Sequence, residues 1–354
     1  MKQTQSIKYA GSKLKLLKDI NNILSQYDFK NVLDGFSGST RVSQMFSNMG
    51  CTTHSNDVSE WSYVLANCFL INDKSKKYYE EIIMHLNNLN GYEGWFSENY
   101  GGIDLTSKKH PFQLKNTKKL DAIRDEIENL NLNEVEKSVI LTSLILALDK
   151  VDNTLGHHTS YLKKWSSRSF LDLKLEVPNF QIPKQKNFVY KDDIFNTIQG
   201  KEFDLAYYDP PYGSNNEKMP SSRVRYNSYY HIWTTIIKND KPELFGKANR
   251  RVDSRDVVSS SIFESYKKNT ENKFESIDAI KKLIENTNSK YILLSYSSGG
   301  RATENELFDI LNLNGTIEKM LKIDYKKNVM ADMKWTNEWS SSDKNYEFLF
   351  LLKK

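Results

Sequence analysis

Residues 203–212, FDLAYYDPPY, constrain the fold more than any other stretch. Phe203–Tyr208 is a short, largely apolar run of strand length, too short for a helix. Asp209 follows, and then two prolines. Proline has no N–H to give to a sheet ladder, so a buried strand must stop here, at an acid, a stiff backbone and an aromatic ring. A second stretch sets the class of sheet. Asn31–Phe36 reads as a strand, SGST as a turn, and Arg41–Asn48 as a helix with Val42, Met45 and Phe46 inward. Thr52–Asn56 reads as the next strand, ending at Asp57. A strand, turn, helix and strand within about 25 residues open a doubly wound α/β sheet.

The rhythm then changes. Lys13–Leu24 already reads as an amphipathic helix, and residues 74–170 read mostly as helices. Among these are Lys77–Leu89 and Asn116–Leu130. Asn133 and Glu136 form a capping-box pair ahead of a helix that is apolar nearly all round. GYEGWFSENYGG, rich in glycine and aromatics, reads as a loop. After Pro183 the α/β pattern resumes, with strands at Phe188–Lys191, Phe203–Tyr208 and KYILLSYS, and helices at Ser276–Asn286 and Glu304–Leu313. GTIEKMLKIDY and NYEFLFLLKK close the chain as two strands, an antiparallel edge on an otherwise parallel sheet. The expected fold is α/β, a doubly wound, mostly parallel, Rossmann-like sheet with a mainly helical insertion. The expected division is a core in two parts, 1–73 and 183–354, around an insertion at 74–182.

No apolar run approaches the ~20 residues that cross a bilayer, and the start lacks the apolar region of a secretory signal. Two cysteines in 354 residues, Cys51 and Cys68, suit a reducing compartment and read as buried small hydrophobes. A cytoplasmic protein without membrane contact is expected. The net charge is +5. Residues 213–255 hold nine Lys or Arg against four Asp or Glu, so this segment alone carries +5. A polyanion is the partner that such a segment suits.

Two motifs carry chemistry. In DGFSGST, residues 34–40, Gly35 and Gly38 allow a tight turn between strand and helix. Asp57, at the end of the second strand, stands where an acid accepts hydrogen bonds from ribose hydroxyls. The full GxGxxG is absent, which favours a nucleoside over a phosphate-held dinucleotide. In DPPY, Asp209 and the carbonyl of Pro210 form two acceptors on a rigid frame, with Tyr212 offering a flat face. That set fits a planar exocyclic amine on an aromatic ring.

With these residues in place, the chain resembles the S-adenosylmethionine-dependent DNA adenine-N6 methyltransferases of the alpha order, the Dam-type group. KYAGSK at 8–13 resembles the group's K-[YW]-x-G-G-K, DGFSGST its D-x-F-x-G-x-G, and DPPY its catalytic motif, in the same order. Ser12 and Thr40 depart from the pattern, each where the group has glycine. The resemblance implies that Tyr9 and Lys13 hold the methionine carboxylate of the cofactor. It places Asp34, Phe36 and Gly38 along the methionine and sulfonium region, and Asp57 at the ribose. An acid in KDDIF would meet the cofactor adenine. Asp192 and Asp193 both stand there, and Asp193 is preferred because an apolar residue follows it. Asp209, Pro210 and Tyr212 would act on an adenine flipped out of double-stranded DNA. The region between the last two motifs would be the target-recognition insertion, and a restriction endonuclease sharing the site is the partner implied.

In the segment after DPPY, Arg223 and Arg225 are expected to face DNA, and Arg250 and Arg251 to be phosphate contacts or surface residues. Tyr229, Tyr230, His231 and Trp233 read as a helix packed on the core. His157 and His158 lack metal-ligand company. An rRNA amino-methyltransferase and a cytosine-N4 enzyme are the alternative readings of DPPY.

Overall fold

The computed structural model describes residues 3–106, 108–213, 225–255, 261–324 and 346–354. Seven strands among them form the main sheet: β1 (Asn31–Asp34), β2 (Thr52–Asn56), β3 (Phe188–Tyr190), β4 (Phe203–Tyr208), β5 (Ser289–Ser297), β6 (Thr316–Asp324) and β7 (Tyr346–Lys353). Their order is β6-β7-β5-β4-β1-β2-β3. β4 runs parallel to both β1 and β5, and β3 parallel to β2. β7 lies antiparallel between β5 and β6, so the closing pair is the antiparallel edge that the sequence indicates. Progression from β1 goes one way to β3, and β4 returns on the other side of β1. That reversal is a topological switch point, where open α/β sheets bind ligands beyond the carboxyl ends of their strands.

The chain divides into two units, one of Met1–Leu17, Ser37–Lys191 and Arg225–Ser260, the other of Lys18–Phe36, Asp192–Val224 and Ser261–Lys354. The core of the first unit surrounds the helix Glu134–Val151, whose Leu144, Ile145 and Leu148 pack with Trp61, Phe112 and Trp233. That helix opens with the capping box of Asn133 and Glu136. The core of the second unit sets Leu33, Ala206, Ile292, Leu294 and Phe350 against Ile280, Leu283 and Ile284 of the helix Glu275–Asn286.

Three local readings are corrected. GYEGWFSENYGG holds a helix, Trp95–Tyr100. Its cap is tertiary: the buried Asp121 carboxylate accepts from the N–H groups of Gly94, Phe96 and Ser97 and from the Ser97 hydroxyl. Lys13–Leu24 is a 3-10 turn at Lys13–Lys15 followed by a helix from Leu17. β1 stops at Asp34, two residues early, because Gly35 turns the chain over the Tyr208 ring. Cys51 and Cys68 are buried free thiols, as read. Tyr230, His231 and Trp233 are buried, as expected of a core-packed helix. No helix among the described residues is long and apolar enough to cross a membrane.

Candidate active site

In the second unit, β1 and β4 bring two motifs together. Asp34 pairs in register with Tyr207, two residues before Asp209, and the Gly35 N–H donates to the Tyr207 carbonyl at 3.0 Å. DGF and DPPY therefore leave neighbouring parallel strands at the same end. Gly35 is required here, because a Cβ on it would lie 2.5 Å from the Tyr208 ring. Phe36 meets Tyr208 and Phe263 edge-on, and Phe195 stacks on Phe263. Asp193 caps the short helix Ile194–Thr197 by accepting from the Phe195 N–H, while Asp192 accepts from its neighbour's N–H and from Asn196.

Pro210 is buried and Asp209 half-buried. Tyr212 is held at both ends. Its carbonyl accepts from the Arg301 N–H at 2.9 Å and the Tyr296 hydroxyl at 3.1 Å. Its hydroxyl donates to Glu347 at 2.5 Å and lies 3.2 Å from that of Ser295. Burial, with the Glu347 and Asp209 carboxylates nearby, pushes the phenol well above its ordinary value. It stays a donor. Gly213 follows at φ +62°, with the Arg301 guanidinium where a side chain would stand.

The first unit carries the other motif residues. The KYAGSK turn closes through Ser12 N–H to the Tyr9 carbonyl. Tyr9 stacks on Tyr230 at 4.8 Å and on Tyr226 at 5.3 Å, and the Tyr230 hydroxyl accepts from the Ala10 N–H. Lys13 is buried, its ammonium 3.3 Å from the Gly11 carbonyl. Gly38 adopts φ +45°, and a Cβ there would lie 2.9 Å from the Tyr9 ring. Asp57 accepts from the N–H groups of Gly38 at 2.8 Å and Ser59 at 2.9 Å. Burial raises its carboxyl from the ordinary value, and these donors oppose the rise. The Ser59 hydroxyl and the Val58 N–H also donate to this carboxylate.

The arginines separate. Arg225 is buried at the start of the turn Tyr226–Tyr229. Arg250 lies over the Phe245 ring, as does Arg255. Arg251 is 3 % exposed, and its guanidinium is taken up by Asp240 and Asp253. Arg223 lies outside the described residues.

The sequence profile of the D12 class N6 adenine-specific DNA methyltransferases matches residues 9–329. The chain belongs to that family. It is 29 % identical to modification methylase StsI of Streptococcus sanguinis, over 98 % of this chain and 52 % of that one. It is 28 % identical to type II methyltransferase M.FokI of Planomicrobium okeanokoites, over 91 % and 49 %. Type II methyltransferase M.NlaIII of Neisseria lactamica matches at 27 % over 98 % of this chain and 99 % of its own length. The chain thus spans about half the length of the first two relatives and nearly all of the third.

Both departures from the D12 pattern have a local account. Gly11 takes the left-handed conformation in KYAGSK, at φ +81°, while Ser12 sits at φ −54°, where any residue fits. Thr40 is different: it sits at φ +60°, buried, where glycine would be unstrained. The strain costs about 1–2 kcal/mol. Its hydroxyl accepts from Gln44 at 2.9 Å in partial return. Sequence reading missed Tyr226, Phe195, Phe263, Ser295 and Glu347. One signal was available. SGGR follows an apolar strand just as DPPY does, a polar exit with glycines at a strand's carboxyl end.

Proposed function

We propose that this chain transfers the methyl group of S-adenosylmethionine to N6 of an adenine flipped out of double-stranded DNA. One observation carries the reading above the others: the acid of DGF and the acid of DPPY stand at the same ends of adjacent strands, beside a switch point. The residues fit a nucleoside-type methyl donor. Gly38 takes left-handed backbone without a side chain, and the Asp57 carboxylate accepts from its N–H. When bound, S-adenosylmethionine supplies an electrophilic methyl on sulfur.

We assign Tyr9 and Lys13 to the methionine carboxylate end, and Asp34, Phe36 and Gly38 to the methionine and sulfonium region. Asp57 is assigned to the ribose and Asp193 to the adenine amine of the donor. Asp209 and the Pro210 carbonyl accept hydrogen bonds from the target N6, which holds its nitrogen in attack geometry. Tyr212 stacks on the extruded base, worth ~1–3 kcal/mol. Of the four arginines, Arg223 and Arg250 form the basic group toward DNA, while Arg225 and Arg251 are buried. Arg250 is the phosphate contact there, and Arg251, held by its two acids, sets the strand that carries it. The setting we infer is the cytoplasm, as the modification partner of a restriction endonuclease with the same site.

Asp209→Ala tests the assignment. Transfer of labelled methyl to unmethylated DNA is expected to fall at least ~10³-fold, with donor affinity by calorimetry near the parent value. A variant that turns over at the parent rate removes Asp209 from the chemistry.

A further inference from the structure

We propose that Glu347, together with Ser295, is a positioning residue for Tyr212: from β7, the strand next to the sheet edge, it holds the hydroxyl so that the ring meets the target base in one orientation. The inference rests on the reading of Tyr212 as part of the methyl-transfer site. Glu347 is the second residue of β7 and faces Ser297 in register, so it lies at the carboxyl end of β5, the end at which DPPY leaves β4. It is 6 % exposed, and Ser295 is fully buried. Its Oε1 accepts from Tyr212 at 2.5 Å and from Ser295 at 2.8 Å.

A carboxylate is costly to bury unless its oxygens are satisfied. Phenylalanine opposite leucine would fill the same space without that cost, and such apolar replacements are commonly as stable or more so. The polar triad therefore adds direction rather than cohesion. The main chain on either side is already fixed: the Tyr212 carbonyl is held by Arg301 and Tyr296, and Gly213 turns over the Arg301 guanidinium. What remains is rotation of the ring, and a charge-assisted hydrogen bond to its far end removes it. The Tyr296 ring, 4.7 Å away and tilted, backs the same arrangement.

The test compares Glu347→Leu, Glu347→Gln, Tyr212→Phe and both double variants, measuring kcat on unmethylated DNA, donor KM and thermal melting. Glu347→Leu is expected to lower kcat by roughly tenfold or more with donor KM within about twofold, and Glu347→Gln to lose roughly two- to fivefold. In the Tyr212→Phe background neither change lowers kcat further, because the hydroxyl through which Glu347 acts is gone. Losses that multiply in the double variants overturn the inference, as does a parent kcat in Glu347→Leu or a loss confined to donor KM. Should Glu347→Leu not fold, Glu347→Gln in the two backgrounds gives the same comparison. Failure of the underlying reading looks different: Asp209→Ala would then turn over normally.

Discussion

At Gly38 the backbone stands at φ +45° with the Tyr9 ring against it, so two separate penalties meet any side chain. Gly38→Ala pays left-handed strain of about 1–2 kcal/mol and also pushes Tyr9 off its stack on Tyr230. The expected outcome is donor affinity weakened at least tenfold in calorimetry, together with a lower melting temperature. Asp149 gives a second residue-scale expectation. It accepts from the Lys8 N–H at 2.9 Å, with Asp152 also bound to Lys8, so the first residue of KYAGSK is tied to the end of the helix Glu134–Val151. Burial raises the Asp149 carboxyl to about 6, with Lys8 opposing and Asp152 adding to the rise. A raised folded-state value means that the native chain binds this proton more tightly than the unfolded chain does. Its contribution is therefore full below the unfolded value near 3.8 and is lost as pH rises through about 6. Asp149→Asn lacks that dependence. In urea melts its stability relative to the parent should improve by about 2 kcal/mol between about pH 4 and pH 7. A constant difference would remove Asp149 from the account.

The helix Trp95–Tyr100 shows an element made by a distant side chain. Asp121 supplies acceptors to three backbone N–H groups and a hydroxyl, from a position 24 or more residues away. Local sequence there is glycine and aromatics, which is why it reads as a loop. Asp121→Ala is expected to cost about 3 kcal/mol, and the Phe96 and Ser97 amides should exchange with the global rate or faster. Arg124 does a similar job at a helix end. Fully buried, it donates to the carbonyls of Ile236 at 2.6 Å and Ile237 at 3.0 Å, the last turn of the helix His231–Lys238. These carbonyls have no partner inside their own helix, and a cation suits that end. Arg124→Met should lower stability by about 2–4 kcal/mol in denaturant melts while leaving donor affinity unchanged. An altered donor affinity would mean that the helix reaches further than its packing indicates.

Across the molecule, what was legible was local. Arg41–Asn48, Thr52–Asn56 and Phe203–Tyr208 form at the residues read from period and punctuation, because glycines, prolines and apolar spacing lie within each segment. The motif acids at 34 and 209 could be placed at strand ends for the same reason. What was hidden depends on partners far along the chain. Glu347 lies 135 residues from Tyr212, Tyr230 lies 220 from Ala10, and no window around either residue carries that pairing. Arg251 shows the reverse: its charge draws attention in the sequence, yet Asp240 and Asp253 already absorb it. The central claim is that Asp209 and the Pro210 carbonyl serve an exocyclic amine of adenine in DNA. Nucleoside mass spectrometry on DNA and RNA from cells expressing the chain, beside cells expressing Asp209→Ala, tests it most directly. The account predicts N6-methyldeoxyadenosine in DNA with the parent chain and none with the variant. N4-methyldeoxycytidine, or new methyl groups in RNA alone, would contradict it.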